Sequence, residues 1–274
     1  MNHLEPYFNG WRAVDIDTAA VQGYIRTREK EGAKGGTINR ELAALRRAMR
    51  LGQRVRMVDH LPTFEMLPEN VREGFITEDQ FGSLLTELPD YLRPLVEFLY
   101  VTGWRVGDAL SRTWKDVDLG DPGWVRIEGS DTKEKRGRQF PMIPRLRSVL
   151  EAQQDKREDF EAKLGRKIPH VFFYYRTQGA ARAGAPLGDC RHAWRSACER
   201  AEGVPEGLYI HDLRRSAARS FIRAGMSERN AMALTGHQTP SILRRYDIVS
   251  ESDLLESGEK LSAFFDAGAK HGKR

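Results

Sequence analysis

The sequence predicts a mainly α-helical protein with one small antiparallel β-sheet, an α+β class, on three observations. Apolar residues recur at helical spacing through most of the 274 residues. The period changes to alternation over WVRIEG (124–129) and RQFPMI (138–143). A capping box, Thr77-Glu78-Asp79-Gln80, opens a fresh run of helices after an aperiodic stretch, 58–76, that holds Pro62 and Pro68. The chain therefore divides into a short helical N-terminal domain with its linker, 1–70, and a larger domain, 71–274.

In the N-terminal part the first helix is expected over Thr18–Lys30, with Val21, Tyr24, Ile25 and Arg28 in register. The second is expected from an N-cap at Thr37 to about Gly52, with an apolar stripe of Ile38, Leu42, Leu45 and Met49. Its other face carries Arg40, Arg46, Arg47 and Arg50. Two helices make a thin domain, so a partial or cut-down unit is expected, one that leans on a partner or on the second domain.

In the larger part, helices are expected at 77–87 and 90–101, then a break at Gly103 and a new helix. The two alternating segments flank SDTKEKRG, which reads as a hairpin with a long basic tip. A helix follows at 145–163, a short strand at VFFYY (171–175), and helices at 187–201, 211–224, 227–235, 240–246 and 251–266.

Composition narrows the function. No apolar run reaches the roughly 20 residues a membrane span needs. The two cysteines, Cys190 and Cys198, are eight apart on one expected helix, too far apart to bridge, and read as structural thiols in a reducing compartment. Metal-ligand spacing and the phosphate-binding GxxxxGK[ST] pattern are both absent. The net charge is +5, and the excess is concentrated. Residues 21–58 hold ten Lys or Arg against three Glu. Such a basic face suits a polyanion such as nucleic acid, although a solvated helix surface would look the same.

The candidate chemistry lies in the second domain. In IHDLRRSAARSFIRAGM (210–226), Leu213, Ala217 and Phe221 form the buried stripe and Arg214 falls about 20° from it. A partly buried guanidinium needs a carboxylate or an anionic ligand, and its planar fork suits phosphate. Arg105 follows Gly103 and opens the next helix, with Asp108 three residues on as its local brace. Lys133 sits at the hairpin tip, where it is either solvated or a proton donor. His237 follows the helix stop Gly236, and Thr239-Pro240 starts a helix that delivers Tyr246 nine residues after His237.

None of these signals is specific alone; their order and spacing are. The set Arg105, Lys133, His211-x-x-Arg214, His237 and Tyr246 resembles the tyrosine recombinase (phage integrase) family. TGWRVGDAL looks like its first arginine motif, DTKEKRGRQFPM its lysine hairpin, IHDLRR its HxLR motif, and LTGH its closing histidine motif. The resemblance covers about residues 77–266 and, more weakly, 1–70 as part of a helical DNA-clamping domain. Arg215 departs from it, standing where the family often has histidine. So does the short N-terminal part, which has one helix fewer than usual before Ala20.

The resemblance implies a site-specific recombinase or integrase of a phage or other mobile element. It would cut and rejoin DNA through a 3′-phosphotyrosine intermediate, without metal, ATP or other cofactor. Tyr246 would be the nucleophile, with Arg105 and Arg214 clamping the phosphate and His237 donating a further hydrogen bond. Lys133 would be the general acid and His211 would assist proton transfer from Tyr246. Arg40, Arg46, Arg47 and Arg50 would bind DNA. The implied partners are double-stranded attachment or recombination sites, accessory DNA-bending proteins, and three further copies in a tetramer. The C-terminal helix, capped at Ser250–Asp253 and striped by Leu254, Leu261 and Phe265, would either dock on the chain's own core or, as the resemblance implies, join those copies. A cytoplasmic, nucleoid-associated location in a bacterial host follows. A type IB topoisomerase or a DNA-binding remnant without activity are the alternatives.

Overall fold

The computed structural model describes residues 3–69, 74–131, 137–177 and 182–240, together with Leu255, Gly258, Glu259, Leu261 and Ser262. The chain divides into two compact units, 1–72 and 73–274. Among the described residues, no helix is long and apolar enough to cross a membrane.

The N-terminal unit is built on α2 (Thr18–Lys30) and α3 (Gly35–Arg54). The buried residues of α2 are Val21, Tyr24, Ile25 and Arg28, the expected register. Arg28 tolerates burial because Glu41 takes two of its hydrogen bonds, at 3.0 Å each, and Glu31 pairs with it as well. Helix α3 buries the expected stripe Ile38, Leu42, Leu45 and Met49. Its start corrects the sequence reading, because the helix begins at Gly35 with Lys34 as N-cap and Thr37 lies inside the first turn. The glycines are needed there, since a Cβ on Gly35 would stand 2.5 Å from the Pro68 carbonyl oxygen. The unit also holds a short helix, α1 (Leu4–Phe8), that the sequence reading lacks. Its Tyr7 and Phe8 rings pack on Tyr24, at 5.1 and 5.6 Å between centroids.

The stretch read as a linker from 58 is, up to residue 69, a strap on this unit. Val58 joins its core, with Leu61, Phe64 and Leu67 packed against it. The buried Asn39 side chain accepts from the Leu67 N–H at 2.8 Å and donates to the Leu67 carbonyl at 2.9 Å.

The second unit starts with α4 (Glu78–Glu87), closed by the Thr77–Gln80 capping box. The apolar α5 (Arg93–Thr102) is central, packing against α7 (Pro144–Leu164) and α9 (Asp212–Arg223). After α5 come α6 (Val106–Leu110) and a three-stranded antiparallel sheet ordered β1 (Val117–Asp118), β2 (Trp124–Ile127), β3 (Arg138–Pro141). The β2–β3 register pairs Val125 with Phe140, and both side chains face the core. Strand β1 is too short to show a period, so the sequence reading passed over it.

VFFYY is not a strand. It is a segment, buried over Val171–Phe173, whose Phe173 makes an isolated bridge to Pro186; backbone bonds to Ala185 and Leu187 flank that bridge, and the pairing goes no further. Helices α8 (Arg191–Arg200) and α10 (Glu228–Thr235) complete the described unit. Cys190 and Cys198 are free thiols. The expected helices at 240–246 and 251–266 lie outside the described residues, apart from Pro240 and the five isolated positions.

Candidate active site

Three chain segments meet where α5, α9 and α10 end or begin. The first is the α5 exit. Gly103 stops α5 in the left-handed conformation, φ 64°, and a Cβ there would press on Ala217 and on Thr235 at 3.0 and 3.1 Å. Trp104 then turns inward, almost wholly buried, and its indole N–H donates to the Leu234 carbonyl at 2.9 Å. Arg105 follows as the N-cap residue of α6.

The second segment is α9, which carries Arg214. Its side chain is 3% exposed and held from three sides. Nη1 donates to the Gly103 carbonyl at 2.6 Å and to the Thr235 carbonyl, and Nε donates to His237 Nε2 at 3.1 Å. Sequence reasoning placed Arg214 at the edge of the buried stripe; it lies inside, because backbone carbonyls accept its hydrogen bonds.

The third segment is the α10 exit. Gly236 ends α10 at φ 74° and passes the chain to His237, also buried. A guanidinium N–H can only donate, so His237 Nε2 must accept and the ring proton belongs on Nδ1. Nδ1 lies 2.7 Å from Thr235 Oγ1, which in turn donates to the Ala231 carbonyl at 2.7 Å. Burial first, then the charges of Arg214, Arg105, His211 and Arg138, push the His237 pKa down to about 3. The imidazole is therefore neutral at neutral pH.

His211 is the N-cap residue of α9 and keeps an exposed edge. Partial desolvation, then the Arg214 charge, lowers its pKa, with Arg105 and Arg215 acting in the same sense and Asp212 against them. The structure thus brings Arg105, His211, Arg214 and His237 into one electropositive cluster. Lys133 and Tyr246 lie outside the described residues. Arg215, the departure from the family pattern, reaches away toward the Gly74 carbonyl at 3.4 Å.

Asp108 does pair with Arg105, as expected, but loosely, at 3.9 Å; its closer ion pair is with Arg138 of β3. Arg138 is a site neighbour that sequence reasoning missed, since a strand arginine beside a basic hairpin tip reads as solvated. Arg112 is another. It is 1% exposed and donates to the Asp108 and Arg126 carbonyls at 3.0 and 3.1 Å, fixing α6 to β2. Among the described residues, no group of three or more His, Cys, Asp or Glu is placed to hold a metal ion.

In the N-terminal unit, Arg40, Arg46, Arg47 and Arg50 are all exposed on α3, opposite its buried stripe or flanking it. The Arg40 side chain also donates to the Gly36 carbonyl, one turn back on its own helix, at 2.9 Å.

Comparison with known proteins places the fold and the family. The chain is 27% identical over 172 residues to the tyrosine recombinase XerD of Bifidobacterium longum, covering 60% of this chain and 52% of that protein. It is 24% identical over 218 residues to the integrase of Salmonella phage P22, covering 77% and 53% respectively. The chain thus spans about half the length of these two relatives. Its fold matches that of the Tn1549 transposon integrase, solved in complex with a circular intermediate DNA, with a TM-score of 0.69 at 15% identity over 90% of this chain and 86% of that one. Residues 74–252, which contain the whole cluster, match the model of the phage integrase family, and the chain belongs to that family.

Proposed function

We propose that this chain is a site-specific DNA recombinase that cuts and rejoins strands through a phosphotyrosine intermediate. The observation that carries the reading is Arg214. It is a buried guanidinium, fixed to the loop that bears Arg105 and to His237, within a catalytic domain of the phage integrase family.

In this reading Tyr246 attacks the scissile phosphorus, the phosphorus–O5′ bond breaks, and a 3′-phosphotyrosine bond forms. The tyrosine proton passes toward His211, whose pKa is lowered by partial desolvation and the Arg214 charge, which favours the neutral ring that can accept. Lys133 protonates the departing 5′-oxygen. Arg105 and Arg214 neutralise the non-bridging oxygens as charge builds in the transition state. His237 joins them once the phosphate draws Arg214 Nε away and Nε2 gains a proton, which the added negative charge favours. Because the phosphotyrosine bond keeps the energy of the broken diester, a 5′-hydroxyl from a second duplex can reverse the step without ATP.

The same reading makes the N-terminal unit a clamp on duplex DNA through Arg40, Arg46, Arg47 and Arg50. Its working form is a tetramer on two sites in the bacterial cytoplasm, joined through the C-terminal segment.

The test uses a library of nicked suicide duplexes with a randomised central segment, followed by a denaturing gel and sequencing of trapped DNA. A covalent adduct that Tyr246→Phe abolishes supports the reading. DNA that is bound without any adduct overturns it in favour of an inactive DNA-binding protein. Relaxation of plasmid without strand exchange would assign a topoisomerase.

A further inference from the structure

We infer that Arg138 is a positioning residue that sets the separation of the two phosphate-clamping arginines. The inference rests on the proposed function and adds to it a group outside the six residues of the family resemblance. Arg138 lies on β3, five residues after Lys133, with its side chain only 6% exposed. It touches both halves of the cluster. One end pairs with Asp108, which is also the carboxylate facing Arg105 at 3.9 Å. The other end donates through Nη1 to the Thr235 carbonyl at 3.3 Å, the carbonyl that also accepts from Arg214.

Its guanidinium lies 5.1 Å from the centre of the Trp104 ring, which forms the floor between the two halves. Space for it exists because residue 236 is glycine: a Cβ there would run into the Arg138 guanidinium. One planar, permanently charged fork therefore ties the Arg105 loop, the α10 exit and the strand returning from the Lys133 hairpin. A lysine could hold one of these contacts at a time but not all of them. Arg112 strengthens the argument, since it independently fixes the Asp108 backbone and leaves the Asp108 carboxylate for Arg138.

The experiment measures single-turnover adduct formation on the duplex trapped by the wild-type protein, at saturating protein and well below the melting temperature. Arg138→Lys and Asp108→Asn are each expected to slow cleavage roughly 10- to 100-fold while duplex affinity stays within about twofold. Because the two residues act as one unit, the double variant is expected to be within about threefold of the slower single variant. Wild-type cleavage by either single variant, or fully multiplicative losses in the double variant, overturns the positioning role. If Arg138→Lys fails to fold, Asp108→Asn decides alone, because it removes the ion pair that holds Arg138 to the Arg105 loop while leaving the Arg138 contacts with the Thr235 carbonyl and the Trp104 ring. A wild-type protein that traps no DNA at all refutes the functional reading itself, a result distinct from active variants.

Discussion

Arg214 and His237 satisfy each other in a buried contact: the arginine Nε donates to the histidine Nε2 at 3.1 Å, and the histidine proton is left to Thr235. This pairing makes the pocket a closed network before any anion arrives. Two cationic side chains packed together would repel, and the chain avoids this by keeping the histidine neutral. At rest, His237 Nε2 is therefore an acceptor; under the proposed function it would turn donor only once an anion draws Arg214 Nε away.

Under the proposed function, replacing Arg214 by Ala removes a phosphate clamp; it also leaves the Gly103 carbonyl short of a donor and the Thr235 carbonyl with Arg138 alone. Adduct formation is expected to fall by about 10²- to 10³-fold. Stability is expected to fall by about 1–3 kcal/mol from the unmade buried hydrogen bonds. Arg214→Lys is expected to recover part of the stability and little of the rate, since an ammonium lacks the planar fork. Single-turnover cleavage and urea unfolding of both variants check this.

The depressed histidine pKa values predict acid sensitivity at mild pH. In the unfolded chain His237 binds a proton near its ordinary 6.5, whereas in the folded chain it does so only near 3. Its contribution to stability is therefore full above about pH 6.5 and is lost as the pH falls toward 3, at up to about 1.4 kcal/mol per pH unit. His211 acts in the same direction. Asp189 and Glu161, each held near 2 by its own hydrogen bonds, keep their contributions until the pH falls below the ordinary carboxylate range and so leave this window to the histidines. Melting temperatures between pH 7 and pH 4.5 are expected to fall less steeply for His237→Gln than for the wild type. Parallel curves would show that His237 titrates alike in both states.

Gly236→Ala tests the packing around Arg138. The left-handed backbone alone costs about 1–2 kcal/mol for a residue with a Cβ, and the new methyl must displace the Arg138 guanidinium. The variant is expected to melt lower and also to cleave more slowly than its lost stability explains. Gly165→Ala has a similar φ, 63°, and nothing within 4 Å of the added Cβ. It is expected to pay the backbone term and to cleave at the wild-type rate, which makes it the control.

The helices and the cluster were legible for different reasons. Helix α2 was readable because its apolar period is local, and its start is fixed by a local cap as well, the Asp17 side chain accepting from Ala20 N–H at 2.8 Å. The start of α3 was not, because it depends on Asn39 and the Gly35–Gly36 pair receiving a strap 28 to 30 residues away. No local pattern encodes that contact. Arg105, His211, Arg214 and His237 could be named from motif spacing, but the depth of Arg214 could not. Burial of that charge depends on carbonyls freed where Gly103 and Gly236 stop two helices, and only the fold places those ends together. The Arg138–Asp108 pair was hidden for the same reason: it joins residues 30 apart.

The exposed arginines of α3 predict a salt-dependent affinity separable from the chemistry. Each contact between an arginine and a phosphate releases condensed counterions, so each loss should reduce the slope of log affinity against log salt by about 1. Arg46, Arg47 and Arg50 are exposed on a helix whose opposite side is buried, so alanine there should leave the unfolding free energy within about 0.5 kcal/mol of the wild type. Arg40 also donates to the Gly36 carbonyl, so Arg40→Ala should lower stability slightly as well. Fluorescence anisotropy on the trapped duplex across a salt series reads the slope. Single-turnover cleavage at saturating protein should be unchanged in Arg46→Ala, Arg47→Ala and Arg50→Ala, because α3 would hold the DNA while the second unit breaks it. A cleavage defect that persists at saturation would place α3 in the chemistry rather than in the grip.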